Sequence, residues 1–259
     1  MKSDLKPLSS YLANKGPCCE PTFRAFSSWN LALSQKENLK RIEESNSIGA
    51  ASNAWLQQLI RVLKQRYDTD GADRTLVQIA HSGWQLDEWL PVQLWHMARS
   101  EEIFRYFLVD CLFVLHQSQI TRIDADVVVE YLQKLVKTRL GSIESWTPSN
   151  YRHVANALLK SVVDFRLMKG RIKREFENYR MPDRSFIYLL HKMMSQYQST
   201  RKMVEAPEWR FFLLRPGDVE EELLRLHQYG KLRFERAGSF LELTLPHLSI
   251  DEFIKESTR

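Results

Sequence analysis

Apolar positions along most of this chain recur at intervals of three and four, the spacing of a helix face buried on one side. In "AASNAWLQQLIRVLKQRYD" the residues Leu56, Leu59, Ile60, Leu63 and Tyr67 share one face, with Ser52 or Asn53 as the cap. Before it, "QKENLKRIEESN" reads as a polar, charged helix that Asn46 ends. "GADRTLVQIAHSGW" and "LDEWLPVQLWHMARS" predict two shorter helices, the second started or kinked by Pro91. "SEEIFRYFLVDCLFVLHQ" is apolar on most sides, which places it at the centre of a bundle. "DADVVVEYLQKLVKTRL" follows, capped by Asp124 and stopped at Gly141, and "DRSFIYLLHKMMSQYQ" predicts a later helix capped by Asp183.

The last fifty residues change character. "EWRFFLL" reads as a strand and "PGDVEEELLRLHQYG" as a helix. "KLRFERAGSFLELTL" reads as a hairpin turning at Ala237–Gly238, with Leu232, Phe234, Leu241, Leu243 and Leu245 alternating. A short helix, "IDEFIKES", closes the chain. The fold class is therefore mainly α, a multi-helix bundle with a small C-terminal α/β unit containing a β-hairpin. Four regions follow: an N-terminal tail at 1–21, which carries turn formers and wraps the surface or stays mobile, a helical bundle at 22–141, an amphipathic helix with a basic segment and a following helix at 142–204, and the strand–helix–hairpin unit at 205–259.

The most informative stretch is "SWTPSNYRHVANALLKSVVDFRLMKGRIKREFENYR", Ser145 to Arg180. Thr147 or Ser149 can cap a helix whose first turn contains Pro148. Val154, Leu158, Val162 and Phe165 form its buried face, while Arg152, Asn156 and Lys160 make a polar stripe at steps of four. Those are side-chain types that pair with base edges and phosphates. From Arg152 to Arg180, eight Lys or Arg stand against Asp164, Glu175 and Glu177, a local net charge of +5 that equals that of the whole chain. Phosphate affinity follows such local concentration. "FRLMKGRIKREFENY" can form a hairpin turning at Lys169–Gly170, so that helix, short turn and basic hairpin follow in the order of a winged helix. The candidate nucleic-acid-binding residues are Arg152, Asn156, Lys160, Arg166, Lys169, Arg171, Lys173 and Arg174. The competing reading is a solvated amphipathic helix followed by a basic loop. A weaker basic patch, Arg61, Lys64 and Arg66, follows Asn53 and Gln57 and would extend the same footprint. The C-terminal helix opens on Asp218 and Glu220 to Glu222, which would meet phosphates with carboxylates, so that unit reads as structural or protein-docking.

Bulk properties bound the rest. With 259 residues and 44% hydrophobic positions the chain can bury a real core, and a net charge of +5 suits a polyanionic partner without requiring one. Three cysteines, Cys18, Cys19 and Cys111, lack disulfide or zinc spacing and read as free thiols in a reducing cytoplasm. No signal-like segment stands at the N-terminus, and the most apolar window, from Ile103, is about 15 residues long and carries Arg105 and Asp110, too short and charged for a bilayer. We expect no membrane contact.

Catalytic patterns are missing from the sequence: no GxxxxGK[ST] loop, no GxGxxG, no HExxH and no GxSxG. His96 and His116 lie in apolar helices and read as core or boundary residues, and Glu43–Glu44, Glu101–Glu102 and Glu220 to Glu222 as solvated or dipole-complementing carboxylates. No catalytic residue, metal ligand or cofactor is assigned.

With these segments in view, the chain resembles the BrxA family of bacterial BREX phage-defence systems. The resemblance runs through "SNAWLQQLIRVLKQRY", "WLPVQLWHMARSEEIFRYFLVD" and "SWTPSNYRHVANALLKSVVDFRLMKG", roughly Ser45 to Gly170. It implies a mostly helical, non-enzymatic accessory factor, similar to the NusB antitermination fold, that binds double-stranded DNA. It also implies companions in the defence system: a methyltransferase, ATPases and a phosphatase-like component. It carries over no catalytic residue. Two alternatives stay beside DNA binding: a protein-interaction scaffold within the defence complex, and an RNA-binding protein suggested by the NusB likeness alone.

Overall fold

The computed structural model describes residues 13–140, 146–238 and 240–256. Its first layer comprises α1 (Cys19–Ser27), α2 (Gln35–Ser45), α3 (Asn53–Arg66), α4 (Arg74–His81) and α5 (Leu86–Ser100). The caps are those the side chains favour: Ser34 and Glu37 form a capping box on α2, Asn46 ends it in the left-handed conformation, and Ser52 caps α3. Pro91 lies inside α5, buried, and the helix runs on through it.

Next, α6 (Glu102–Tyr106) continues through a π-helical stretch (Phe107–Leu112) into α7 (Phe113–Gln117). Ile103, Phe104, Phe107, Leu108 and Leu112 are buried, as the apolar pattern predicts, but no side chain of α7 is. The predicted central helix is therefore central only over its first half. Beyond it come β1 (Arg122–Ile123), α8 (Ala125–Leu140), α9 (Pro148–Asp164), β2 (Met168–Lys169) and β3 (Arg174–Phe176). Asp124 accepts the amides of Asp126 and Val127 at the start of α8; the predicted stop at Gly141 lies outside the described residues. The three strands form one antiparallel sheet in the order β1-β3-β2, with Arg122 opposite Glu175 and Met168 opposite Phe176. Helix, strand, two helices and a hairpin whose second strand lies central thus follow one another, an order that includes the helix and hairpin expected of a winged helix. Strand β1 comes from a segment the periodicity left as a connection.

The rest of the chain forms α10 (Asp183–Met194), α11 (Thr200–Val204), α12 (Pro216–Gln228), the hairpin β4 (Arg233–Ala237) and β5 (Phe240–Thr244), and α13 (Ile250–Glu256). Ala237 pairs with Phe240, so the turn begins at Gly238, one residue later than expected. One hydrophobic cluster runs from Ala13 to Ile254 and joins all these elements.

Four expectations are corrected. "EWRFFLL" is no strand: Pro207–Phe212 is a 3-10 helix, because Trp209, Phe211 and Phe212 are all buried and Trp209 stacks on Phe186 at 5.0 Å. Packing overrides the β propensity of its aromatics. Asp183 starts α10 without capping it, since its carboxylate is drawn to Arg225 and Lys231. Of the expected tail, residues 1–12 lie outside the described residues, and the remainder is anchored rather than mobile: the guanidinium of Arg66 donates to the carbonyls of Gly16 (2.8 Å) and Pro17 (3.2 Å), and α1 begins at Cys19. Glu101, expected in solvent, is buried and hydrogen-bonded to Arg66.

Candidate nucleic-acid interface

Thr147 accepts the amide of Asn150 and Pro148 occupies the first turn, so α9 starts where its sequence directs. Tyr151, Val154, Ala155, Leu158, Leu159 and Val162 bury one face against the bundle and α8. Phe165, just past the end, is buried too. The opposite face shows Arg152, His153, Asn156 and Lys160 to solvent, the predicted stripe with one histidine added.

The stripe is less available than its composition suggests. Arg152 pairs with Asp126 of α8 at 2.6 Å, and Lys160 with Asp164 of its own helix at 2.6 Å. Asn156 donates back to the carbonyl of Arg152 at 3.0 Å. Arg166 reaches Asp87 at 2.7 Å and Lys169 reaches Glu177 at 3.8 Å. These are exposed pairs, each worth at most about 1 kcal/mol, so a phosphate can compete for the same cations.

At the hairpin the picture differs. Four residues, Gly170–Lys173, connect β2 to β3. Among the described residues Arg171 and Lys173 have no ion pair or hydrogen-bond partner, and both are exposed. Gly170 has φ +102°, and a Cβ there would stand 2.3 Å from the carbonyl oxygen of Lys173, so the tight turn needs glycine. Arg174, predicted to grip a phosphate, is instead 8% exposed and donates from Nη1 to the carbonyl of Ile172 at 2.9 Å. Burial pulls its pKa down. Its guanidinium thus holds the backbone of the turn at Ile172. The same correction holds for Arg66, which is buried, while Arg61 and Lys64 of that patch are exposed. Arg61 donates to the carbonyl of Gln57 at 3.3 Å.

Two clefts, about 500 and 530 Å³, run beside α9 and share Leu90 and Arg166. Their cations are Lys15, Lys160, Arg166, Lys169 and Arg180. Lys15 also donates to Gln58 of α3 at 3.3 Å, one helical turn from Arg61, and so links the two basic patches. Sequence reasoning passed over Lys15, because nothing local marks a residue of the N-terminal segment as folded against α9.

His96 is a buried core residue: its Nδ1 contacts Asp73 and its Nε2 lies 2.8 Å from the hydroxyl of Tyr188, which lies 2.7 Å from that of Thr75. Burial lowers the His96 pKa, which suits a neutral ring donating to Asp73 and accepting from Tyr188. Burial also pushes the thiols of Cys18, Cys19 and Cys111 up, away from reactive thiolate. Among the described residues no cluster of three or more His, Cys, Asp or Glu is placed to hold a metal, and no helix is long and apolar enough to cross a membrane.

Compared with known proteins, residues 14–192 match the BrxA family model, a span that includes α9 and the basic hairpin. No curated protein matches the chain. The match covers more than two thirds of the sequence and agrees with the helical architecture, and the chain therefore belongs to the BrxA family, components of BREX phage-defence systems.

Proposed function

We propose that this protein binds double-stranded DNA as a non-enzymatic accessory factor of its defence system, gripping phosphates through α9 and the β2–β3 wing with limited sequence preference. The observation that carries this reading is a pair of cations, Arg171 and Lys173, unpartnered among the described residues, on a turn held in shape by Gly170 and Arg174 beside the α9 stripe. An α-helix fits the major groove, which is about 12 Å wide, and a basic hairpin beside it meets the adjacent backbone. The system's methyltransferase, ATPases and phosphatase-like component are the companions this role implies, and the cytoplasm its place.

A salt titration on a short fluorescent duplex, with matched RNA as competitor, tests the reading. Steep loss of affinity with salt and preference for DNA over RNA are expected. No duplex binding at low salt would remove it. Protein docking within the defence complex is the second reading, favoured by Tyr229, Phe240 and Leu248, large apolar side chains exposed on the C-terminal region. A partner pull-down that survives nuclease treatment separates these readings.

A further inference from the structure

The tip of the wing carries an apolar side chain where solvation favours a polar one. Ile172 is 82% exposed, between Arg171 and Lys173. Leaving such a side chain in water forgoes the favourable burial of its apolar surface. Its backbone is not loose: the Ile172 carbonyl is held by Arg174 at 2.9 Å, and the turn closes tightly over Gly170. The tip is thus a supported projection with an aliphatic point and a cation on each side. Only three residues separate the end of α9 from β2, so a duplex lying along α9 meets this projection directly.

An apolar side chain on a cationic projection is the device by which proteins pry open the stack between adjacent base pairs from the minor groove and kink the duplex. We propose that Ile172 is such a wedge, and that the protein bends the DNA it binds. Arg171 and Lys173 then hold the phosphates on either side of the opened step. The proposal rests on the DNA-binding reading above and adds a distortion of the ligand to it. Because unstacking costs least where pairing is already defective, a wedge also favours duplexes containing a mismatch. An ordinary phosphate grip does neither.

The test uses the full chain and a duplex of about three helical turns carrying donor and acceptor dyes at its ends, at saturating protein. Energy transfer should rise, corresponding to a bend of roughly 20–90°. A duplex with a central mismatch should bind about tenfold more tightly than the matched one, equivalent to about 1.4 kcal/mol. Ile172→Ala should abolish both effects, and Ile172→Phe should keep them. Since the side chain is exposed, neither substitution threatens folding. Saturated binding without a change in transfer, or an Ile172→Ala protein that bends DNA as well as the wild type, overturns the wedge and leaves DNA binding standing. Failure to bind any duplex at low salt overturns both.

Discussion

Arg152 on α9 and Asp126 on α8 form an ion pair at 2.6 Å with both side chains more than half exposed. The first cation of the predicted reading stripe is thus tied to the neighbouring helix. Such a pair contributes at most about 1 kcal/mol to stability, and its carboxylate repels any phosphate that approaches the arginine. Asp126→Asn should tighten duplex binding several-fold while changing the unfolding free energy by less than about 1 kcal/mol. Binding isotherms at fixed salt and a urea titration check the two halves.

Arg171 and Lys173 should behave differently from their neighbour Arg174. Replacing both tip residues with Ala should weaken DNA binding across all sequences and lower the salt slope by about two. Arg174→Ala should instead destabilise the fold by about 1–3 kcal/mol, because it removes the charged donor to the Ile172 carbonyl. The readouts are the slope of affinity against salt and chemical denaturation. A tip variant with an unchanged slope would move the phosphate grip elsewhere.

The buried Arg66–Glu101 pair anchors the N-terminal segment, because the same guanidinium holds the carbonyls of Gly16 and Pro17. Glu101→Ala leaves a buried cation uncompensated and should cost about 3–5 kcal/mol. Replacing both residues with apolar ones of similar volume should cost less than the single change. Thermal unfolding of the two variants and the wild type decides this.

His191 stacks on Phe253 of α13 at 5.4 Å, and burial together with the nearby His247 lowers its pKa from 6.5 to about 4. The unfolded chain therefore takes up this proton before the folded one does. Stability from this residue is complete above pH 6.5, declines as pH falls towards about 4, and changes no further below that. His191→Phe should flatten the melting temperature across that window. A pH dependence equal to the wild type's would assign it to other groups.

Much of the helical plan was legible because its signals are local. Ser52, Asn46, Thr147 and Pro148 mark helix ends through bonds made within a turn or two of chain. Leu56, Leu59 and Leu63, like Val154, Leu158 and Val162, mark faces through a period read over a dozen residues. The β2–β3 hairpin was legible from its glycine, but not its turn: Lys169 pairs with Glu175 inside the sheet, so the connection runs over Gly170–Lys173 rather than turning at Lys169–Gly170. What escaped has distant causes. Strand β1 has only two residues, and it exists because β3 lies beside it, with Arg122 opposite Glu175. "EWRFFLL" carries strand propensity, yet the surface it packs on makes it helical.

Residue order is enough to establish a helical protein with a capped amphipathic helix and a dense run of positive charge from Arg152 to Arg180. Which of those charges remain available depends on the folded arrangement. Asp87 and Asp126, remote in sequence, engage Arg166 and Arg152, and Arg174 is buried with its guanidinium on the Ile172 carbonyl. Arg171 and Lys173 stay unpartnered among the described residues because they sit at the end of a projection. The difference is one of range: backbone periodicity and capping act within a few residues, whereas the solvation and pairing of a charge depend on whatever the folded chain brings within about 4 Å.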